Sequence, residues 1–106
     1  MDIVKLKNEI DDFDIPKKSI TLFWDTLQKY RDENFDEYHK YFKNDDTDKF
    51  YIQISSISLE LGNWPDCNYN HLVSRIPIWY DNIHIGDYLV MFTLDGKIDD
   101  DMLNIF

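Results

Sequence analysis

The period of the hydrophobic pattern changes once along this chain, near residue 49, and that change limits the folds available to it. Before residue 49 apolar residues recur at intervals of three and four, and after it they alternate with polar residues. The first pattern places apolar side chains on one face of an α-helix, and the second places them on one face of a β-strand. The sequence therefore predicts an α+β domain of two layers, with helices packed on a C-terminal antiparallel sheet. Because 106 residues is an ordinary size for one folding unit, a single domain over residues 1–106 is expected.

Two helices are predicted in the first half. A short N-terminal helix begins after Asp2, a suitable N-cap, and ends near Asp14, just ahead of a proline. One long amphipathic helix is predicted over Ile20–Lys43, capped by Ser19, and a break at Asn34 is the alternative. The apolar stripe of this helix, which we expect to enter the core, consists of Ile20, Phe23, Trp24, Leu27, Tyr30, Phe35, Tyr38, Tyr41 and Phe42.

The second half predicts a sheet of about four strands. Over residues 50–61 the apolar positions change from even to odd numbers across Ser55-Ser56, which indicates one inserted residue and therefore a β-bulge. The strand over 72–80 contains Pro77, and this predicts an edge position, because proline cannot donate to a ladder. Residues 88–94 are nearly all apolar and predict a central strand that is buried on both faces. Asp95-Gly96 then predicts a tight hairpin.

Charge narrows the class of partner. Acidic residues outnumber basic ones 21 to 11, which gives a formal net charge of -10. Such a surface repels phosphate backbones and anionic lipids, so we expect neither direct nucleic-acid binding nor membrane binding. It favours encounters with a basic protein instead. The excess is concentrated in residues 50–106, where eight acidic residues face only two bases, Arg75 and Lys97.

Three features predict a cytoplasmic location. Cys67 is the single cysteine, so the chain has no internal disulfide that would require an oxidising compartment. The first residues lack the basic and apolar regions of a secretory signal. No apolar run approaches the roughly 20 residues that span a bilayer.

Few residue patterns that catalysis or cofactor binding requires are present. Three isolated glycines do not form a phosphate-binding loop. Cys67 with His71, and His84 with Asp87, are the right residue types for nucleophilic chemistry, but spacing alone gives these pairs no specificity. A structural zinc site needs four ligands, and the acidic loops lack the glycine and distal glutamate of a calcium loop. We therefore expect no enzymatic activity, no cofactor and no dedicated metal site.

Acidic residues in predicted turns lie beside aromatic residues that the core does not obviously need. Aromatic anchors with a charged rim are typical of protein interfaces. The predicted partner-binding residues are Trp64, Asp66, Trp79, Tyr80, Asp81, Asp87, Asp95, Asp99, Asp100 and Asp101. The alternative interpretation is that Trp64 covers one end of the core and that the acidic residues only keep the protein soluble.

The stretch from Gly86 to Leu103, with its apolar strand, Asp-Gly turn and three consecutive aspartates, resembles the immunity proteins of bacterial polymorphic-toxin and contact-dependent growth inhibition systems. The resemblance implies a cytosolic protein that neutralises a cognate basic toxin, often a nuclease, by occluding its active site or an adjacent surface.

Other functional classes remain open at this stage. A nucleic-acid mimic that inhibits another nucleic-acid-binding protein would share the acidity, and an adaptor subunit would show little dependence on salt. A small-molecule binder would have a deep apolar pocket between the helices and the sheet. In an enzyme, His39, His71 or His84 would lie close to carboxylates in such a pocket.

Overall fold

The computed structural model describes residues 2–43 and 45–106, and within them three helices precede a five-stranded antiparallel sheet. In chain order the elements are α1 (Ile3–Asp12), α2 (Ile15–Glu33), α3 (Phe35–Tyr41), a short 3-10 helix (Thr47–Lys49), β1 (Phe50–Ile52), β2 (Ser56–Gly62), β3 (Tyr69–Tyr80), β4 (Ile83–Phe92) and β5 (Ile98–Ile105). The predicted α+β class is confirmed, with one strand and one helix more than expected. None of the helices in the described ranges is long and apolar enough to cross a membrane.

Helix α1 forms as predicted, whereas α2 begins five residues earlier than expected. The Asp2 carboxylate accepts a hydrogen bond from the Lys5 N–H at 3.0 Å and caps α1. Asp14 adopts a left-handed conformation (φ 57°), and this turn lets α2 begin at Ile15. Pro16 then lies in the first turn, where its missing N–H has no intrahelical partner to lose.

Ser19 was predicted to cap α2, but it is a buried residue inside the helix. Its hydroxyl donates to the Ile15 carbonyl at 2.7 Å and shares a second hydrogen bond of 2.7 Å with the Ser74 hydroxyl of β3. This pair joins the helical layer to the sheet at the centre of the core.

The prediction of one continuous helix over Ile20–Lys43 is wrong, and the alternative break at Asn34 is confirmed. Asn34 has non-helical backbone angles (φ -135°, ψ 52°) and separates α2 from α3. Asparagine has a low helix propensity, so a break at this position costs little. The break takes Phe35 out of the stripe and leaves it half-exposed, while Tyr38 and Phe42 still reach the core.

The predicted bulge lies between β1 and β2. Both strands pair with the same side of β3, and residues 53–55 between them face only residues 76 and 77 of β3. β3 has β4 as its other neighbour, so the edge position predicted from Pro77 is wrong. Pro77 lies opposite the bulge, where it has no ladder partner in β1 or β2, and its missing N–H therefore costs no hydrogen bond there.

β4 is central, between β3 and β5, but only one of its faces is buried. Leu89 and Met91 are only partly buried on the other face, which corrects the prediction of burial on both sides. The hairpin at Asp95-Gly96 is confirmed: the Thr93 N–H donates to the Lys97 carbonyl at 2.8 Å, and the strand continues into β5.

The core lies between the helices and one face of the sheet. Its buried residues are Ile15, Phe23, Leu27, Tyr38, Phe42, Leu72, Ile76, Ile78, Tyr80, Tyr88, Val90 and Phe92. The helices cover this face of the sheet, and within residues 2–43 and 45–106 no helix covers the opposite one.

Candidate functional site

The uncovered side of the sheet, which we call the open face, is the largest continuous surface of the strands. Directly opposed residues of antiparallel strands share one face, and Val73 pairs with Met91, which in turn pairs with Asp100. By the same alternation the open face consists of Tyr51, Ser56, Ser58, Glu60, Tyr69, His71, Val73, Arg75, Pro77, Trp79, His84, Asp87, Leu89, Met91, Asp99, Asp100, Met102, Asn104 and Phe106.

This face is both apolar and acidic. Tyr51, Tyr69, Met102 and Phe106 are each more than half exposed, and Trp79 is 38% exposed. Apart from His71 and His84, its acidic and basic side chains are four carboxylates (Glu60, Asp87, Asp99 and Asp100) and one guanidinium (Arg75). β3 runs for 12 residues across it, so the two ends of the face lie roughly 36 Å apart at about 3.3 Å per residue.

One end carries the His71 cluster, which we define as Tyr69, His71 and Asp99. The His71 side chain is buried beneath the Tyr69 ring, with the ring centroids 4.2 Å apart. His71 Nε2 lies 2.7 Å from Asp99 Oδ2, to which the Tyr69 hydroxyl also donates at 3.3 Å. The charge of Asp99 raises the pKa of Tyr69 above its ordinary value.

Asp99 reaches this cluster because the β4–β5 ladder shifts by one residue beside it. Phe92 pairs with Ile98, but the preceding residue Met91 pairs with Asp100, so Asp99 is the extra residue of a bulge. The bulge re-aims the Asp99 carboxylate toward His71 of β3. His71 thus has Asp99 as its partner, whereas the sequence suggested Cys67.

The other end carries the His84 cluster, which we define as Arg75, Trp79, His84 and Asp87. The Trp79 and His84 rings are stacked 5.1 Å apart with an interplanar angle of 23°, and Phe106 contacts the imidazole edge-on. Asp87 Oδ1 lies 3.0 Å from His84 Nε2, and Asp87 Oδ2 accepts from Arg75 Nη2 at 3.0 Å. The sequence had singled out the pairing of His84 with Asp87, and the structure places the two in contact.

Asp87 is held as an anion by this network. Burial alone would raise the pKa of its carboxyl, but the hydrogen bonds from Arg75 and His84 outweigh burial and hold the pKa below the usual range. Both clusters place a histidine against a carboxylate. However, His71 is buried under Tyr69, whereas His84, which contacts Trp79 and Phe106, keeps 31% of its side chain exposed.

The structure divides the ten predicted partner-binding residues between the two ends of the sheet. Trp64 is the most exposed large apolar side chain of the described residues, and it lies with Asp66 in the β2–β3 loop. That loop and the β4–β5 hairpin, which carries Asp95, lie at the same end as the His71 cluster. Trp79 and Asp81 lie at the opposite end.

Two predicted residues do not reach the surface expected for them. Tyr80 is 6% exposed and points into the core, where its hydroxyl accepts from the Asp46 N–H at 3.4 Å. Asp101 points toward the helical layer and accepts from the Tyr88 hydroxyl at 2.5 Å and from the Thr26 hydroxyl at 3.1 Å. We therefore exclude both from the candidate surface.

Several acidic residues of the second half have basic partners, although only two bases, Arg75 and Lys97, lie in the same half of the sequence. Asp81 lies 3.9 Å from Lys49 Nζ and Asp95 lies 3.7 Å from Lys97 Nζ, in addition to the contacts of Asp87 and Asp99. Counting charges along the chain missed the first of these pairs, because Lys49 belongs to the helical half but meets the end of β3. Asp66 and Asp100 are exposed, and no ion pair within residues 2–43 and 45–106 includes either of them.

Sequence reasoning missed the apolar part of the open face, including Tyr51, Met102 and Phe106. The alternation of Asp100, Met102 and Asn104 was an available signal, because it places Met102 on the same side as two polar residues. The fold and this surface define a two-layer α+β protein whose sheet has one uncovered, acidic and aromatic face. A scan of protein-family models finds no match to the chain, and searches of curated proteins and of solved structures find no significant match. The resemblance to immunity proteins therefore stays a prediction.

The charge of Asp87 gives a stability prediction. Asp87→Asn should lower the free energy of unfolding by about 1–2 kcal/mol at neutral pH, because Arg75 and His84 lose a charged acceptor. Since the folded pKa of Asp87 lies below the ordinary 3.8, this stabilisation is complete above that value and is lost as the pH falls through the folded pKa.

Urea unfolding of both proteins between about pH 7 and about pH 3 measures this difference. The gap should stay constant down to about pH 5 and narrow progressively below about pH 4. Asp66→Asn removes the same charge from an exposed loop and should change stability by less than about 0.5 kcal/mol. A gap for Asp87→Asn that widens in acid would contradict the assigned network.

Proposed function

We propose that this chain is a non-catalytic, cytoplasmic binding protein that neutralises a basic protein toxin by covering its active site or an adjacent surface. The observation that carries the proposal is the open face, where exposed aromatic and apolar side chains lie among four carboxylates and a single guanidinium.

The apolar part of this face supplies the anchor. Interfaces concentrate their binding energy in a few aromatic residues, which are surrounded by polar groups that exclude water. Trp79 fits this role, because His84 stacks on its ring and holds it in a fixed orientation at the surface. A preordered ring loses little conformational freedom on binding.

The acidic part selects the partner. A formal charge of -10 over 106 residues gives the molecule a long-range negative potential. Such a field speeds association with a positively charged surface and opposes association with an acidic one. A nuclease must attract phosphate, so its cleft is electropositive, and an acidic inhibitor exploits the same attraction.

The contacts of the two histidines support a binding role over a catalytic one. Asp99 and Asp87 occupy Nε2 of His71 and His84, and the Tyr69 ring buries His71. A general base must reach the proton that it abstracts. In this arrangement the imidazole–carboxylate pairs fix the shape of the surface.

Capture with the whole chain from its source cells tests the proposal, followed by purification of the captured protein. We expect a basic protein whose activity is abolished at a one-to-one ratio. Its association rate should fall about tenfold between roughly 50 and 300 mM salt, as expected for electrostatic steering. An acidic partner, a rate independent of salt, or full activity in the complex would each refute it.

A further inference from the structure

β5 forms one edge of the sheet, and half of its peptide groups point away from β4. The Phe106 N–H donates to the Ile85 carbonyl at 2.9 Å, which fixes the phase of this ladder. In an antiparallel pair the hydrogen-bonded residues alternate with residues whose N–H and C=O point outward. The outward groups therefore belong to Asp101, Leu103 and Ile105, and the inward ones to Met102 and Asn104.

The outward groups are not equivalent. The Asp101 N–H is occupied by the carboxylate of its own neighbour, because Asp100 Oδ1 accepts from it at 2.8 Å. Within residues 2–43 and 45–106 no side chain hydrogen-bonds to the N–H of Leu103 or Ile105. An edge with unsatisfied peptide groups is a template for another strand.

The other edge of the sheet is unsuited to this purpose. It consists of β1 and β2, which the bulge at residues 53–55 separates. A bulge bends the strand and interrupts its row of donors and acceptors. β5 also has a bulge, at Asp99, but its pairing with β4 is regular from Asp100 to Ile105, the stretch that carries the outward groups of Leu103 and Ile105.

Charge decides which strand could occupy this edge. β5 carries Asp99, Asp100 and Asp101, and two copies of a chain with a net charge of -10 repel each other. An extended segment rich in lysine or arginine would instead gain attraction from Asp100, which is exposed beside the edge. Farther along, Met102 and Phe106 offer exposed apolar contacts to alternate residues of the same segment.

We propose that β5 binds an extended, basic segment of a partner protein as a sixth strand, through the outward peptide groups of Leu103 and Ile105. This inference rests on the proposed function, since the segment would belong to the basic partner. The added strand would extend the open face past Met102 and Phe106 and would carry the partner onto that face. Main-chain hydrogen bonds would supply affinity, and the acidic side chains would supply selectivity.

Amide hydrogen exchange on the whole chain, followed residue by residue by NMR, tests the edge directly. In the protein alone, the amides of Leu103 and Ile105 should exchange faster than those of Met102 and Asn104. The probe is a short, end-blocked peptide of alternating lysine and valine. When about nine-tenths of the protein is bound, exchange at Leu103 and Ile105 should slow about tenfold, because only the unbound fraction exchanges.

Two control peptides separate the possible causes. A peptide with glutamate in place of lysine should give no protection, and N-methylation of the valines should abolish the effect of the lysine peptide, because it removes the donors of one strand edge. Protection by the glutamate peptide would overturn the basic selectivity. Protection without any peptide, together with dimer formation, would assign the edge to a second copy. Spectral changes confined to the open face would refute strand addition.

Leu103→Pro and Leu103→Ala form a matched pair for the captured partner. Both variants shorten a half-buried side chain, but only proline removes the outward N–H. Leu103→Pro should therefore bind the partner at least about fivefold more weakly than Leu103→Ala, the loss of roughly one hydrogen bond. Thermal unfolding confirms that both variants fold.

Equal binding of a basic partner by both variants would refute the edge site and leave the proposed function standing. If no basic partner were captured while the lysine peptide still protected Leu103 and Ile105, the proposed function would fail and the edge site would stand.

Discussion

Trp79→Ala should weaken binding of the basic partner at least about 30-fold, since truncating an aromatic anchor commonly costs about 2 kcal/mol or more. The ring is 38% exposed, it is stacked on His84, and it stands among apolar neighbours on the open face. Its removal takes away contact area and leaves His84 uncovered. Titration calorimetry of the partner with each purified variant measures the change.

The helical layer provides a matched control for this substitution. Trp24 is 36% exposed and also packs against aromatic rings, those of Phe23 and Phe50, but it lies on the helical side of the molecule. Trp24→Ala removes the same side chain from a surface that we do not assign to binding, so affinity should change by less than about threefold. Equal losses for the two variants would place the partner elsewhere or reveal a general loss of folding, which circular dichroism distinguishes.

Gly96→Ala should lower the free energy of unfolding by about 2–4 kcal/mol, for two reasons that act together. Gly96 has a φ of 84°, a conformation that a Cβ atom disfavours. That Cβ would also lie 2.5 Å from Cγ of Phe13, the C-cap residue of α1. The hairpin would have to move away from the helices and would lose the hydrogen bond of 3.1 Å from Lys18 to the Gly96 carbonyl.

Urea unfolding measures this loss of stability. Two further variants separate the contribution of the positive φ from that of the contact with Phe13. Gly96→Asn places the same Cβ against Phe13, but asparagine tolerates a positive φ better, so it should be less destabilising than alanine by about 1 kcal/mol. Lys97→Ala changes the adjacent, exposed residue and should cost less than about 0.5 kcal/mol. A change below about 1 kcal/mol for Gly96→Ala would show that the hairpin is not fixed against α1.

The layered fold was predictable because it follows from the period of the side chains. Ile76, Ile78 and Tyr80 are all at even positions of β3, so strand alternation places their side chains on the same, inward face. The same alternation predicts that Trp79 points outward. The same rule places Asp101 with Leu103 and Ile105 on the core side. Strand alternation therefore predicts which side chains reach this surface better than residue type and turn chemistry do.

Other features depend on contacts between residues far apart in sequence, and no local pattern contains them. Serine is a residue type that commonly caps helices, but the hydroxyl of Ser74 on β3 gives Ser19 a hydrogen-bond partner inside the core. Lys49 neutralises Asp81 only because β1 brings the end of the helical half beside β3. The bulge that turns Asp99 toward His71 depends on the register between β4 and β5, which sequence alone does not set.

Because the helices and the open face lie on opposite sides of the sheet, the lysine side chains are unevenly distributed over the surface. Eight of the nine lysines precede β1, and the ninth, Lys97, lies in the β4–β5 hairpin. None belongs to the open face. Coupling the protein to a support through its amines would therefore attach it mainly by the helical side and leave the sheet turned toward the solution. Amine-directed labels would likewise report on the molecule without covering the surface proposed for its partner.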